Sequence, residues 1–194
     1  MSKVTLAAVA LACLTVTACG GSNDTEGGGG GSGDGDKTFE GDGYSFVLPE
    51  DWMEFEQGES RARSGEQISP SVWIGPRGGS DSDLMVVDVF RARVAVTQEN
   101  IDDVSDQLAA EFDQLLGEGG WRMTRDPARV RVDELPGLRF EASGLDPEGE
   151  RVRSRYVYVL DGRTVYALNC QFTPEGAEEM RRGCDQVIES FQVE

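Results

Sequence analysis

The chain has 194 residues, with 36 Asp and Glu against 18 Lys and Arg, and its formal net charge is −18 at pH 7. This charge disfavours binding to nucleic acid or direct attraction to anionic lipid, because both contacts need clustered positive charge. The chain contains no histidine, which excludes Ser-His-Asp and Cys-His catalysis and removes the commonest metal ligand. We therefore expect a protein that is not an enzyme and holds no metal or other cofactor.

The N-terminus has the pattern of a secretory signal. Lys3 precedes an apolar run, residues 4–16, which is well short of the ~20 residues that a membrane-spanning helix needs. The exit "VTACG" resembles the bacterial lipobox, in which the cysteine receives a diacylglyceryl group. This resemblance implies that residues 1–18 are a signal peptide and that Cys19 anchors the protein by lipid to the extracytoplasmic face of the cell membrane. An ordinary signal peptide that happens to contain a cysteine is the alternative.

A composition change separates a tether from a globular domain. Residues 19–37 are mostly glycine, serine and acids, which bury too little apolar surface to become ordered, so we predict a flexible tether. Residues 38–194 have a globular composition and are long enough for one domain with a sizeable core.

Alternating apolar and polar residues predict four strands in the first half of the domain, at residues 44–48, 52–56, 71–74 and 84–93. A helix follows, with Thr97 as its candidate N-cap and apolar residues at three- and four-residue steps from Ile101 to Leu116. Its opposite face is acidic, which is typical of a solvated face, although a docking surface for a basic partner is the alternative.

The second half of the domain predicts a meander. Four strands are expected at residues 129–132, 137–142, 151–160 and 163–172, joined by "DELPG", "DPEGE" and "DG". Thr173 is then the candidate N-cap of a closing helix that runs to Phe191, with Gly183 as a candidate break. The fold class predicted is α+β, an antiparallel sheet covered by helices.

Two cysteines remain after the signal and the acylation site are accounted for. Cys170 and Cys184 would lie outside the cytoplasm, where disulfides persist, so we expect them to be paired. The pair would attach the closing helix to the last strand. A redox-active or metal-binding pair is the alternative, but the C-x-x-C spacing is missing.

Several segments of the domain resemble a known fold. The strings "GDGYSFVLPEDW", "VYALNCQF" and "CDQVIESF", together with the central helix, are similar to the PsbP-like fold and in particular to the LpqN/LpqT-type bacterial lipoproteins. The resemblance covers residues 38–194. It implies an α-β-α sandwich that serves attachment to, or assembly of, envelope and membrane complexes, with no shared catalytic residues.

Arginine is concentrated in one part of the chain. Residues 122–163 hold nine arginines against eight acids. Six of them alternate along predicted strands and are candidates for one ligand or partner site: Arg129, Arg131, Arg139, Arg151, Arg153 and Arg155. Guanidinium groups on one face would suit the capture of carboxylate or phosphate. The alternative is that the arginines pair with neighbouring acids such as Glu141 and Glu150.

These patterns favour an accessory module that contacts a protein partner in the cell envelope. The second hypothesis is a carrier of a lipid or small apolar ligand between sheet and helices, with Trp52, Trp73 and Trp121 as its lining. A carboxylate-dependent hydrolase is a weaker third, because 36 acids always permit some pair.

Overall fold

The computed structural model describes residues 37–55, 66–118, 120–146 and 148–194. The predicted signal peptide, Cys19 and nearly all of the predicted tether lie outside the described residues. Within these ranges, neither helix is both long enough and apolar enough to cross a membrane.

Strands dominate the described part of the chain. The elements are β1 (Lys37–Glu40), β2 (Tyr44–Leu48), β3 (Trp52–Phe55), β4 (Glu66–Gln67), β5 (Val72–Pro76), β6 (Leu84–Val96), α1 (Ile101–Glu118), β7 (Arg122–Val132), β8 (Leu135–Leu145), β9 (Arg151–Phe172), α2 (Ala177–Ser190) and β10 (Gln192–Val193). Antiparallel pairs join them into a large sheet of order β3-β5-β6-β9-β8-β7, with β4 also on β6, and a small sheet of order β1-β2-β10.

The long strand β9 folds back on itself near Gly162. Its first part pairs with β8 and its last part pairs with β6. The hydroxyl of Ser82, just before β6, donates a 2.8 Å hydrogen bond to the carboxylate of Asp146, just after β8. Ser82 lies beside the end of β9 and Asp146 beside its start. If the 22 residues of β9 formed one straight strand, these two residues would be about 70 Å apart, so the hydrogen bond requires β9 to fold back. Gly162 has a φ of 57°, which favours glycine, so the predicted "DG" turn agrees with the structure.

Each face of the large sheet has its own core. On one face, which we call the α2 face, residues such as Val87 and Leu168 pack with Met180 and Val187 of α2 and with the small sheet. On the opposite face, the α1 face, residues such as Leu138 and Tyr158 pack with buried apolar residues of α1, among them Ile101, Val104 and Leu108. The α+β class is confirmed in its broad form, with the sheets as the larger part.

Aromatic rings fill the junction between the small sheet and α2. Tyr44, Phe46 and Phe191 stack within 5.5–6.5 Å of one another, and each is no more than 1% exposed. Burial raises the pKa of Tyr44 above its usual value, with Asp88 as a lesser cause. The strand predicted at residues 44–48 is confirmed. Its alternation places the Tyr44 and Phe46 rings in the α2-side core.

The start of α1 differs from the prediction. The first helical hydrogen bond runs from the amide of Val104 to the carbonyl of Asn100 at 3.0 Å, so Asn100, not Thr97, precedes the helix. The Asn100 side chain accepts a 2.7 Å hydrogen bond from the amide of Thr97. Thr97 therefore opens a turn ahead of the helix, and its assignment as N-cap is wrong.

The start of α2 differs in the same way. Gly176 occupies the N-cap position, and the hydroxyl of Thr173 accepts a 3.1 Å hydrogen bond from its amide. The amide of Thr173 donates a 2.7 Å bond to the buried carboxylate of Asp83. Thr173 is thus the head of a turn fixed to the β5–β6 loop, and is not the N-cap.

Gly183 does not break α2. It is buried within the helix, and a Cβ added there would collide with the Trp52 ring. The glycine therefore allows the indole to pack closely against the helix backbone. One turn of the same helix also carries the disulfide, since Cys170 and Cys184 are bonded with their Cα atoms 6.2 Å apart, as predicted.

Candidate functional site

Part of the α2 face is not covered by α2. It is formed by β7, β8 and the first part of β9, and directly opposed residues of antiparallel strands share a face. Six arginines belong to this surface, which we call the arginine face: Arg122, Arg125, Arg139, Arg151, Arg153 and Arg155. The predicted sandwich is therefore incomplete on this side, because arginine rather than apolar residues occupies the outward positions.

The pairing register fixes the arrangement of the arginine face. Arg155, Arg153 and Arg151 lie opposite Glu141, Ser143 and Leu145 of β8, in that order. On the far side of β8, Arg125 and Arg122 of β7 lie opposite Glu141 and Ser143. Arg139 precedes Glu141 by two residues and lies on the same face. Because neighbouring strands are about 4.8 Å apart and alternate residues about 6.7 Å apart, the guanidinium groups form rows.

Only two of these six arginines form ion pairs with described residues. Arg125 contacts Glu141 at 3.6 Å, and Arg155 contacts Asp185 of α2. Among the described residues, the carboxylates in contact with these six arginines are Glu141 and Asp185, on a chain whose net charge is −18. The buried Nε of Arg139 has no hydrogen-bond partner within the described ranges.

Arg129 and Arg131 are not part of the arginine face. They lie opposite Leu138 and Pro136, on the α1 side, and the Nε of Arg129 donates a 2.8 Å hydrogen bond to Asp102 of α1. The prediction that these two arginines could share one face with Arg139 and the β9 arginines is therefore wrong.

The error has a physical cause in the register of the β7–β8 hairpin, whose two-residue turn places Val132 opposite Leu135 and therefore Arg129 opposite Leu138, not Arg139. Bulges nearer the start of β7 break the two-residue alternation and bring Arg122 and Arg125 to the face of Arg139. The sequence prediction also began this strand at Arg129, so it missed Arg122 and Arg125. A strand this exposed lacks the apolar alternation by which strands are recognised.

The surroundings of the arginine face include one apolar group and one shallow depression. Leu145 is 58% exposed and lies opposite Arg151. The depression is open and lies beside α2, with this lining: Val47, Arg182, Asp185, Gln186, Glu189 and Ser190. Asp185 belongs to both surfaces, since it also contacts Arg155.

The three tryptophans proposed as the lining of a ligand cavity lie apart. Trp52 packs in the α2-side core against α2, whereas Trp73 belongs to a small cluster with Leu84 and Val86. Trp121 packs on the α1-side core next to Gly144. They do not share a cavity, so this part of the carrier hypothesis is wrong.

Metal chemistry has no obvious centre in the part of the chain that the structure describes. Among those residues there is no group of three or more Cys, Asp or Glu placed to hold a metal ion.

Comparison with known proteins identifies the fold. No family model and no curated protein matches the chain. Among solved structures, it is similar to cyanobacterial PsbP (CyanoP) from Synechocystis sp. PCC 6803, with a TM-score of 0.59 and 14% identity over 87% of this chain and 98% of that one. It is also similar to LpqN involved in cell envelope biogenesis of Mycobacterium tuberculosis, with a TM-score of 0.50 and 11% identity over 84% of this chain and 87% of LpqN.

A protein of Bacteroides thetaiotaomicron VPI-5482 shares the fold with a TM-score of 0.52 and 16% identity over 82% of this chain. The chain spans about half of that protein, 48% of its length. On these similarities to solved structures, the chain has a PsbP-like fold.

Proposed function

We propose that this protein is a non-catalytic accessory module, held by lipid at the extracytoplasmic face of the cell membrane, that binds a protein partner in the cell envelope. The observation that carries the proposal is the arginine face. Four of its six arginines, Arg122, Arg139, Arg151 and Arg153, have no ion pair with any described residue.

Fold stability does not explain such a surface. Isolated surface charges contribute little to stability, and like charges on neighbouring strands oppose each other. Their concentration on one open sheet face is explained if an anionic partner covers that face, because charge complementarity guides association and sets specificity.

Location supports the same proposal. The Cys170–Cys184 disulfide suits a compartment outside the cytoplasm, in agreement with the predicted signal and the lipid anchor at Cys19. LpqN is involved in cell envelope biogenesis, and we extend a role in the envelope to this chain as part of the proposal.

One observation favours the carrier as a second candidate. The Nε1 of Trp73 and the Oδ1 of Asn169 are buried and have no hydrogen-bond partner in the described structure. On the α1 face, Trp73 of β5 and Asn169 of β9 lie opposite Val86 of β6, on its two neighbouring strands. Buried polar atoms usually have partners, so a small ligand with one donor and one acceptor would satisfy both.

Site-specific crosslinking in cells tests the proposal. A photoreactive amino acid at Leu145, on the arginine face, should crosslink to one envelope protein. The matched control is Ile68, a second large apolar residue that is exposed in the described part of the chain, where the same crosslink should be absent. Equal capture at both positions, or none at either, would contradict the proposal.

Two further measurements separate the parts of the proposal. Cys19→Ser should move the protein from the membrane fraction to the soluble fraction, and a wild type that is already soluble would refute the anchor. A stoichiometric small molecule in native mass spectra of the protein purified from its host would favour the carrier instead.

A further inference from the structure

We infer that the arginine face binds an extended acidic segment of the partner protein, with carboxylates at alternate residues, lying along the first part of β9. This inference rests on the proposed function and names the chemistry of the partner. It goes beyond the presence of positive charge, because it follows from how the arginines are spaced.

The spacing of the β9 arginines matches that of an extended chain. Arg151, Arg153 and Arg155 are alternate residues of one strand, so their Cα atoms repeat at about 6.7 Å. Alternate side chains of an extended partner segment repeat at the same distance. Carboxylates at every second position of the segment therefore meet the guanidinium groups one to one.

The guanidinium groups have free donors for these contacts. Arg151 and Arg153 are exposed and form no ion pair with a described residue. Arg155 is paired with Asp185 and its side chain is only 13% exposed, so it marks the end of the row, and Arg151 and Arg153 supply the accessible donors. Arg139 lies on the neighbouring strand β8, and its buried Nε has no acceptor among the described residues. It would contact the same segment from the side, as part of a second row of arginines.

Leu145 adds an apolar contact at one end of the row. It is 58% exposed beside Arg151, and an apolar side chain of the segment next to its acids would cover it. Interfaces commonly combine apolar contacts with polar ones, and the arginine face presents both.

A phosphate or a membrane surface fits this arrangement less well. Capture of one phosphate needs several guanidinium groups that converge on a point, whereas these are distributed in rows over three strands. Glu141 and Asp185 also lie among the arginines. An anionic lipid surface would in addition repel the rest of a chain with a net charge of −18.

Peptide binding tests the inference. The full-length protein, purified in detergent, is titrated into a fluorescent decapeptide in which glutamate alternates with serine and a leucine ends the chain. The comparison peptide has the same composition with its glutamates in one block. The alternating peptide should bind about tenfold more tightly, since a tenfold ratio needs only about 1.4 kcal/mol from contacts in register.

Two variants locate the binding. Arg151→Gln with Arg153→Gln should weaken binding of the alternating peptide by about tenfold, because two ion pairs with the peptide are lost together. The matched control is Arg93→Gln with Arg131→Gln, which removes the same charge from exposed positions outside the arginine face and should leave binding unchanged.

Three outcomes would overturn the inference. They are equal binding of the two peptides, no binding of the alternating peptide, and tighter binding to vesicles containing phosphatidylglycerol that the Arg151 and Arg153 substitutions abolish. The peptide comparison uses the wild type, so it stands even if a variant folds poorly. If an envelope protein still crosslinks through Leu145 while the peptides fail, the proposed function holds and only the acidic segment is refuted.

Discussion

Two regions of the α2 face share one sheet and one strand period, yet one is sealed and the other is open. Under α2, the outward positions of β6 are Met85, Val87 and Val89, each no more than 2% exposed. On the first part of β9 the equivalent positions are Arg151 and Arg153, which are exposed. The residue type at alternate positions therefore decides whether a region of the sheet needs a helix or a partner to cover it.

The reach of α2 explains the boundary between the sealed region and the arginine face. The helix has 14 residues and is about 21 Å long, while neighbouring strands add about 4.8 Å each to the width of the sheet. Asp185 on its flank contacts Arg155, and this ion pair marks the border. We expect substitutions on the sealed side to change stability and those on the open side to change binding.

Removal of the disulfide should give the largest effect on the sealed side. Cys170→Ser with Cys184→Ser should cost about 3 kcal/mol of unfolding free energy, since the bond joins cysteines with a sequence separation of 14. Thermal unfolding should then show a midpoint lower by roughly 6–12 °C. Reductant added to the wild type should reproduce the shift, and an unchanged midpoint in both would show that the bond does not hold α2 in place.

Gly183→Ala should come next, and the sign of its effect is the test. On an open helix this substitution stabilises by about 1 kcal/mol. Here the new Cβ would collide with the Trp52 ring, so we expect a net loss of about 1–3 kcal/mol from overpacking. Glu178→Ala, at an exposed site of the same helix, is the control and should stay within about 0.5 kcal/mol. A more stable Gly183→Ala protein would mean that the helix and Trp52 pack loosely.

Asp83→Asn should have a smaller effect at the start of α2. The carboxylate is 6% exposed and accepts hydrogen bonds from the amide and hydroxyl of Thr173 at 2.7 and 3.0 Å. Loss of the charge should cost about 1–2 kcal/mol in a denaturant titration, because charge-assisted bonds are the stronger ones. Asp81→Asn removes an exposed charge from the same loop, and a cost equal to that of Asp83→Asn would refute the role of this contact.

The sequence predicted the sealed region better than the open one for a physical reason. Burial leaves a periodic apolar pattern, which identified the strand from Tyr44 to Leu48 and the face of α1 that begins at Ile101. The exposed start of β7 has no such pattern, and the placement of Arg129 depended on the register of the β7–β8 hairpin, which alternation along one strand does not determine. The contact between Gly183 and Trp52 joins distant parts of the chain, and no local pattern predicts it.

The same limit applies to the short strands. β10 has two residues and pairs with β2 through Gln192 and Ser45, far apart in the sequence. A pair of residues carries no strand period, so only the folded chain defines it. The disulfide was predictable because cysteine count and compartment, and not periodicity, determined it.

Substitution of the exposed arginines should give the smallest effect on stability and thereby define the open side. Arg151→Gln with Arg153→Gln should leave the unfolding free energy within about 1 kcal/mol, since each exposed change usually stays within about 0.5 kcal/mol. Arg155→Gln is the matched comparison on the same strand, because its side chain is only 13% exposed and contacts Asp185. We expect it alone to cost about as much as an ion pair that is partly shielded from water, roughly 1 kcal/mol. Chemical denaturation of the wild type and the two variants measures both values, and the single Arg155→Gln substitution should cost at least as much as the double substitution. If the double substitution is instead the more destabilising one, Arg151 and Arg153 stabilise the sheet itself, and the open region is then part of the fold and not a surface kept for a partner.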